Sequence, residues 1–374
     1  MPDTNVAEFR GAASYADQPA CCTADRRGPD LTIGRVGLGS GRPAYVIAEA
    51  GVNHHGSPQA ALEMIEAARR AGAQAVKFQV FRAEELASPG ARTAAYQRAA
   101  GQGGDQRAML KKLELRADDF RALREACQKA GIEFLGTPFD QASLCLLREL
   151  DVAAIKIAST DLTNTPLLED ALTLDRPLLV STGASRPEEI SRCVELIGAR
   201  GGRAALLHCV SAYPVPEERA NLRRIRALAE RFGLLTGFSD HTQSIEIGAL
   251  AVAAGACMVE KHFTLDRTQP GPDQSFSLEP EELKRYVERI RRAEAVLGDG
   301  SLPYQEIEEE VRNKAGRSVV ARCAIGVGEK LTREKLCLKR PGGGLGSEAF
   351  EKLLNKHATA PIAADQRLTW SMVE

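Results

Sequence analysis

The chain has 374 residues, room for one large domain and a small one, and its 44% hydrophobic content with 33 glycines describes an ordinary globular protein. With 49 Lys and Arg against 50 Asp and Glu, the formal charge of -1 offers no basic field for nucleic acid or an anionic membrane surface, so any anion must be handled locally. Nine cysteines, scattered singly apart from Cys21 and Cys22 and with no CxxC pair, argue against a disulfide framework. Cys127, Cys145, Cys193 and Cys257 read as small core hydrophobes.

Residues 1–32 lack the apolar centre of a signal peptide and read as a flexible tail. From residue 44, short β-rich runs alternate with longer helical stretches. The candidate strands are AYVIAEAG, AVKFQV, EFLGTP, AAIKIAS, PLLVSTG, AALLHCVS, LLTGFSD and MVEKHFT. Between them, segments such as PQAALEMIEAARRAG, ADDFRALREACQKAG, PEEISRCVELIGARGG and NLRRIRALAERFG carry apolar residues at helical spacing, usually closed by a C-capping glycine. A repeated βα unit implies a parallel sheet. Eight such units within residues 33–298 predict an α/β fold of the (β/α)8 TIM barrel type, with an active site at the C-terminal strand ends. An open doubly wound sheet is the alternative, but no GxGxxG follows the first strand. The longest apolar stretch, IGALAVAAGACMV, is too short to span a bilayer, and a cytoplasmic location is expected.

Polar residues gather at the strand ends: Glu49 and Asn53, Lys77 and Gln79, Thr137, Lys156 and Ser159, Ser181, Ser211, Ser239 with His241, and His262. In a barrel they converge on one rim. A serine or threonine after a strand can equally be a helix N-cap, as for Ser181 and Thr137. The lysines are harder to dismiss, because Lys77 and Lys156 sit in runs buried on both faces, where an unpaired ammonium is costly. Each needs an anionic partner, either a ligand phosphate or carboxylate, or an internal carboxylate such as Glu49. His241 and His262 end consecutive strands, so their imidazoles can approach one point as two ligands of a divalent ion. His54, His55 and His208 lack that placement.

GDGSLPYQEIEEEVRN, polar and acidic, reads as a linker over residues 299–312. Residues 313–374 then form a second domain of short β-rich runs, glycine turns and one helix, small enough to need a docking surface. Its Arg317 and Lys339 are either surface charges or groups reaching into a neighbouring rim.

The motifs AEAGVNHHG, KFQ, GTPFD, KIAS, STG, YPVP, GFSDHT, EKHFT and GPD, followed by GRSVVA and RPGGG, resemble in order and spacing the sialic acid synthase family over residues 33–374. The resemblance implies a TIM barrel joined to a C-terminal antifreeze-like (SAF) domain, in a homodimer where that domain covers the partner's active site. It implies condensation of phosphoenolpyruvate with an open-chain N-acylated hexosamine, most often N-acetylmannosamine, giving a nine-carbon 2-keto acid and phosphate. Lys77, Thr137, Lys156, Ser159, Ser181, Ser211 and Ser239 would then hold phosphoenolpyruvate. Gln79, Asp161, Tyr213 and Asp273 would meet the sugar, and Arg317 of the partner's SAF domain its N-acyl end. Mn²⁺, or Mg²⁺ or Co²⁺, on His241 and His262 would polarise the aldehyde, and Glu49 would accept the attacking water's proton. The family's first motif usually reads NHNG, so His55 is a departure, and Ser211 stands where some members carry asparagine. Alternatives are legionaminate or pseudaminate synthesis from a diacetamido sugar, a 3-deoxy sugar-phosphate synthase, and a non-catalytic carbohydrate-binding relative.

Overall fold

A computed structural model describes residues 31–39, 41–94, 98 and 103–374. They form two compact units that divide between Asp299 and Gly300.

In the first unit, a hairpin of β1 (Leu31–Ile33) and β2 (Val36–Leu38) precedes eight parallel strands. These are β3 (Tyr45–Gly51), β4 (Ala75–Val80), β5 (Glu133–Pro138), β6 (Ile155–Ile157), β7 (Leu178–Ser181), β8 (Ala204–Cys209), β9 (Leu235–Asp240) and β10 (Met258–His262). They close into a barrel in which β10 pairs with β3, so all eight expected strands and the TIM-barrel prediction hold.

Strand alternation sends successive side chains to opposite faces of the wall. Val46, Val76, Phe78, Phe134, Val180, Leu206 and Val259 face outward and pack with the surrounding helices. Helix Pro58–Arg70 shows how these helices are bounded. The Ser57 hydroxyl caps it by accepting from Ala60 N at 3.2 Å, and its apolar stripe Ala61, Met64, Ile65 and Ala68 is buried. The glycine expected to close helix Ala117–Ala130 is Gly131, whose φ of +73° is left-handed backbone that a side chain would strain.

Inside the barrel, Tyr45, Ile47, Ala75, Leu135, Ala154, Leu179, Ala205, Leu207 and Met258 fill the lower half, and Leu31, Ile33 and Leu38 of the hairpin join them. Leu31, two residues before the expected boundary at 33, already buries its side chain in this core; residues 1–30, with Cys21 and Cys22, lie outside the described residues. Cys127 and Cys193 are buried as expected, whereas Cys257 is partly exposed and Cys145 is exposed. Cys145 lies off the buried face of helix Gln141–Glu149, which is formed by Ser143, Leu144 and Leu147. No helix among the described residues is long and apolar enough to cross a membrane.

The second unit pairs β11 (Ser318–Ala321) with β12 (Leu336–Lys339) antiparallel, over a core of Val319, Ile325, Leu331, Leu336, Leu353, Ile362 and Leu368. The segment read as a linker, 299–312, is partly helical: Glu309–Ala315 is an α-helix that runs past the expected boundary at 313. Its acidic run supplies Glu309 and Glu310 to the first turn, where they favour the helix dipole, and Lys314 Nζ lies 2.5 Å from Glu310 one turn back.

Candidate active site

Above the apolar lower half, the same inward-facing positions turn polar. Glu49 and Lys77 are register partners on β3 and β4, and a bulge between Glu49 and Gly51 ends their regular pairing. Lys77 Nζ lies 2.8 Å from Glu49 Oε2 and 3.6 Å from Glu260 Oε2, and donates to Thr137 Oγ1 at 2.8 Å. Lys156 Nζ donates to Ser181 Oγ at 2.6 Å and to the Ile157 carbonyl at 2.9 Å, and lies 4.0 Å from Glu260 Oε1. Ser239 Oγ completes the group by donating to Glu260 Oε1 at 2.9 Å.

The four charged residues are all buried. Burial raises the Glu49 carboxyl to about 7 against the opposing pull of Lys77. Burial also pushes Glu260 upward, but Lys156 and Lys77 outweigh it and hold that carboxyl below its ordinary range. Lys77 is raised, since Glu260 and Glu49 together overcome its burial, whereas for Lys156 burial wins and its ammonium is held below its ordinary value. Near neutral pH Glu49 is therefore only partly ionised, so the lysines face less carboxylate charge than two glutamates would ordinarily supply. That is a balance suited to receiving an anion.

Next to this cluster the backbone comes close. Gly183 N donates to Ser159 Oγ at 3.0 Å, and a methyl group at Gly183 would lie 2.3 Å from Ser211 Oγ, 2.8 Å from Cys209 Sγ and 2.9 Å from Ser159 Oγ. The STG turn thus needs its glycine to let Ser159, Ser211 and Cys209 approach one spot.

The imidazoles of His241 and His262 are buried, with ring centroids 5.5 Å apart. His241 Nδ1 lies 3.0 Å from the Val210 carbonyl and its Nε2 3.5 Å from Ser239 Oγ. The carbonyl can only accept, so Nδ1 carries a proton and Nε2 is the nitrogen free to ligate. His262 Nδ1 is buried without a hydrogen-bond partner, 3.9 Å from Asp273 Oδ2. Burial, with His241 adding to it, holds His262 well below its ordinary value, so it is a neutral imidazole. Burial lowers His241 too, but Cys209 and the Val210 carbonyl outweigh it and raise that imidazole, so a divalent ion on the two nitrogens would have to displace a proton from His241 Nε2. Among the described residues, no group of three or more His, Cys, Asp or Glu is arranged to hold a metal by itself.

Tyr213 packs its ring 4.3 Å from His241, and Phe276 lies 5.2 Å from His262. A methyl group at Gly51, where φ is +53°, would lie 3.3 Å from Glu49 Oε1, 3.6 Å from Gln79 Nε2 and 3.7 Å from Asp273 Oδ2, so these three side chains line one space. Burial raises Asp273 to about 6.

Of the residues singled out in the sequence, Glu49, Lys77, Gln79, Thr137, Lys156, Ser159, Ser181, Ser211, Tyr213, Ser239, His241, His262 and Asp273 thus converge on the rim. Asp161 is spent locally, with Thr160 Oγ1 donating to one carboxylate oxygen at 3.2 Å and Asn164 Nδ2 to the other at 3.0 Å. Arg317 is an exposed residue of the second unit. His55 has a φ of +55° in the left-handed region, which Asn enters readily and His also tolerates, and this accounts for the NHHG variant. Glu260 and Cys209 join the site although sequence reasoning passed over them. The alternation of β10 could have found Glu260, since it lies two residues before His262 on the same face. Asn53 ties the first loop to the GPD loop by donating from Nδ2 to the Phe263 carbonyl at 2.8 Å and to Ser277 Oγ at 2.9 Å.

A closed (β/α)8 barrel whose upper lumen carries paired lysines, glutamates and histidines, followed along the chain by a small β-rich unit, describes a class of enzyme that binds an anionic substrate at the strand ends. The NeuB family model matches residues 64–302 and the SAF domain model residues 316–374. The chain belongs to the NeuB family and ends in a SAF domain. It is 38% identical to the N,N'-diacetyllegionaminic acid synthase of Legionella pneumophila, over 90% of this chain and 96% of that one. It is 39% identical to the Campylobacter jejuni enzyme of the same name, over 87% and 98%. Among solved structures, the N-acetylneuraminic acid (sialic acid) synthetase of Leptospira borgpetersenii, in complex with citrate, matches at 37% identity and a TM-score of 0.69, covering 77% of this chain and 96% of that one.

Proposed function

We propose that this protein is a nonulosonate synthase that joins phosphoenolpyruvate to an unphosphorylated, open-chain N-acylated hexosamine and releases a nine-carbon 2-keto acid and phosphate. The observation that carries the reading is the buried Glu49–Lys77–Glu260–Lys156 cluster among rim hydroxyls. Lys77 and Lys156, with Thr137, Ser159, Ser181, Ser211 and Ser239, would take the phosphate and carboxylate of the donor. Gln79, Tyr213 and Asp273 would face the acceptor, as would Asp161 after giving up a local bond.

The donor's C3 attacks the aldehyde carbon, and water adds at C2. Loss of phosphate with C2–O cleavage then leaves the keto acid. An arriving phosphate competes with Glu49 for Lys77, which leaves the Glu49 carboxylate free to accept the water's proton. Mn²⁺, or Mg²⁺ or Co²⁺, held by His241 and His262 would polarise the acceptor's carbonyl oxygen when bound. Arg317 would reach the acceptor from the SAF domain of the partner in a homodimer. Gel filtration tests that arrangement: a fully active monomer contradicts it. We place the reaction in the cytoplasm, where the donor is generated.

N-acetylmannosamine is the acceptor the motifs imply, and the Leptospira relative supports it. The two relatives at 38 and 39% identity favour a second reading, a 2,4-diacetamido-2,4,6-trideoxyhexose. Phosphate release from phosphoenolpyruvate with Mn²⁺, and product mass, measured with each free sugar and with a phosphorylated hexosamine, tests both. Turnover of one free sugar assigns the branch. Turnover of the phosphorylated sugar alone, or of none, overturns the proposal.

A further inference from the structure

We propose that Asp240, Lys261 and Tyr286, on the outer side of the barrel wall, form a positioning clamp that sets the spacing of His241 and His262 and with it the affinity for a divalent cation. The inference rests on the two-histidine metal reading above.

Asp240 and Lys261 are register partners on β9 and β10, each one residue before a histidine. Alternation turns Glu260 and His262 into the lumen and Lys261 away from it. Lys261 Nζ lies 3.0 Å from Asp240 Oδ2, and both side chains are fully buried. Tyr286 on helix Pro280–Leu297 donates to the same oxygen at 2.9 Å. The other oxygen, Asp240 Oδ1, accepts from Thr242 N at 2.9 Å and Thr242 Oγ1 at 2.7 Å, and Lys261 Nζ donates to the Thr242 carbonyl. Both neighbours of His241 are therefore tied to the residue before His262. The Tyr286 ring reaches this knot because helix Ile247–Ala253 presents a glycine to it: a methyl group at Gly248 would lie 2.3 Å from Tyr286 Cζ.

Stability alone does not call for such a knot. A buried ion pair is often no better than apolar residues of similar volume, although removing one partner is strongly destabilising. Geometry is what the pair adds, since directional bonds fix the residues on either side of His241 and the residue before His262, as outer groups fix metal ligands elsewhere.

The test is Mn²⁺ titration of the full chain by calorimetry, alongside thermal melting and phosphoenolpyruvate affinity measured without metal. Asp240→Leu with Lys261→Met removes both charges together. We expect it to weaken Mn²⁺ binding by about 10- to 100-fold while metal-free phosphoenolpyruvate affinity is unchanged. Tyr286→Phe and Gly248→Ala should each weaken it less, and they decide the matter if the double variant does not fold. Native Mn²⁺ affinity in every folded variant, with the wild type binding Mn²⁺, overturns the clamp alone. A wild type that binds no Mn²⁺ overturns the metal reading and the clamp together.

Discussion

The lower and upper halves of the barrel interior use the same strands and the same inward alternation, and they are equally buried, yet they do opposite things. Ile47 and Leu207 are 0% exposed, while Glu49 is 2% and Lys77 and Lys156 are 3% exposed. In the lower half burial is favourable in itself, because apolar surface leaves water. In the upper half burial is a cost, offset only in part by the pairing of two lysines with two glutamates, and it is what moves Glu49 to about 7. Equal burial therefore says nothing about role; the polarity of what is buried does.

The contrast can be broken most strongly at Glu49. Glu49→Gln keeps the shape of the upper half and removes the proposed base, and kcat should fall by about 10²- to 10⁴-fold in a phosphate-release assay. Wild-type turnover would remove Glu49 from the chemistry. Leu207→Ala should behave in the reverse way, costing about 2–5 kcal/mol of unfolding free energy in urea titrations and leaving the KM for phosphoenolpyruvate where it was.

Lys156→Met should raise that KM by about 10- to 100-fold, the worth of charge-assisted bonds to an anion. A raised KM in the lower-half variant and not in this one would invert the comparison. The pH profile sharpens it further. If Glu49 is the base, as proposed, its deprotonated form is the competent one, so kcat/KM should rise as pH increases through about 7, and this inflection should be missing from the residual activity of Glu49→Gln.

An effect on stability alone lies outside both halves, at His54, which is buried with its ring 6.2 Å from Phe78. Burial lowers its pKa from 6.5 to about 4. Between those values the unfolded chain binds a proton that the folded chain refuses, so stability should fall as pH drops from about 6.5 towards 4. Urea midpoints across that range should show a shallower fall in His54→Gln.

Most of the fold could be read along the chain. Eight β-rich runs with capped helices between them were enough for the barrel, and the types of residue at the strand ends were enough to expect an anion site with two histidines beside it. The errors have physical causes. Leu31 lies within a segment of ordinary loop composition, and only its burial against Tyr45 and Ile47 makes it part of the fold. EEEVRNKA is acidic enough to read as a linker, but the same acids stabilise a helix when they occupy its first turn.

The residues by themselves determined the repeating unit, its caps and which chemical groups stand at each strand end, because these depend on local periodicity and composition. Only the tertiary structure decided which of those groups meet. Glu260 is shared by Lys77 and Lys156, Asp161 turns to Asn164, and Asp240 pairs with Lys261 behind the wall. In a barrel buried on both faces, lumen and wall look alike in sequence, and closing β10 against β3 joins residues more than two hundred positions apart.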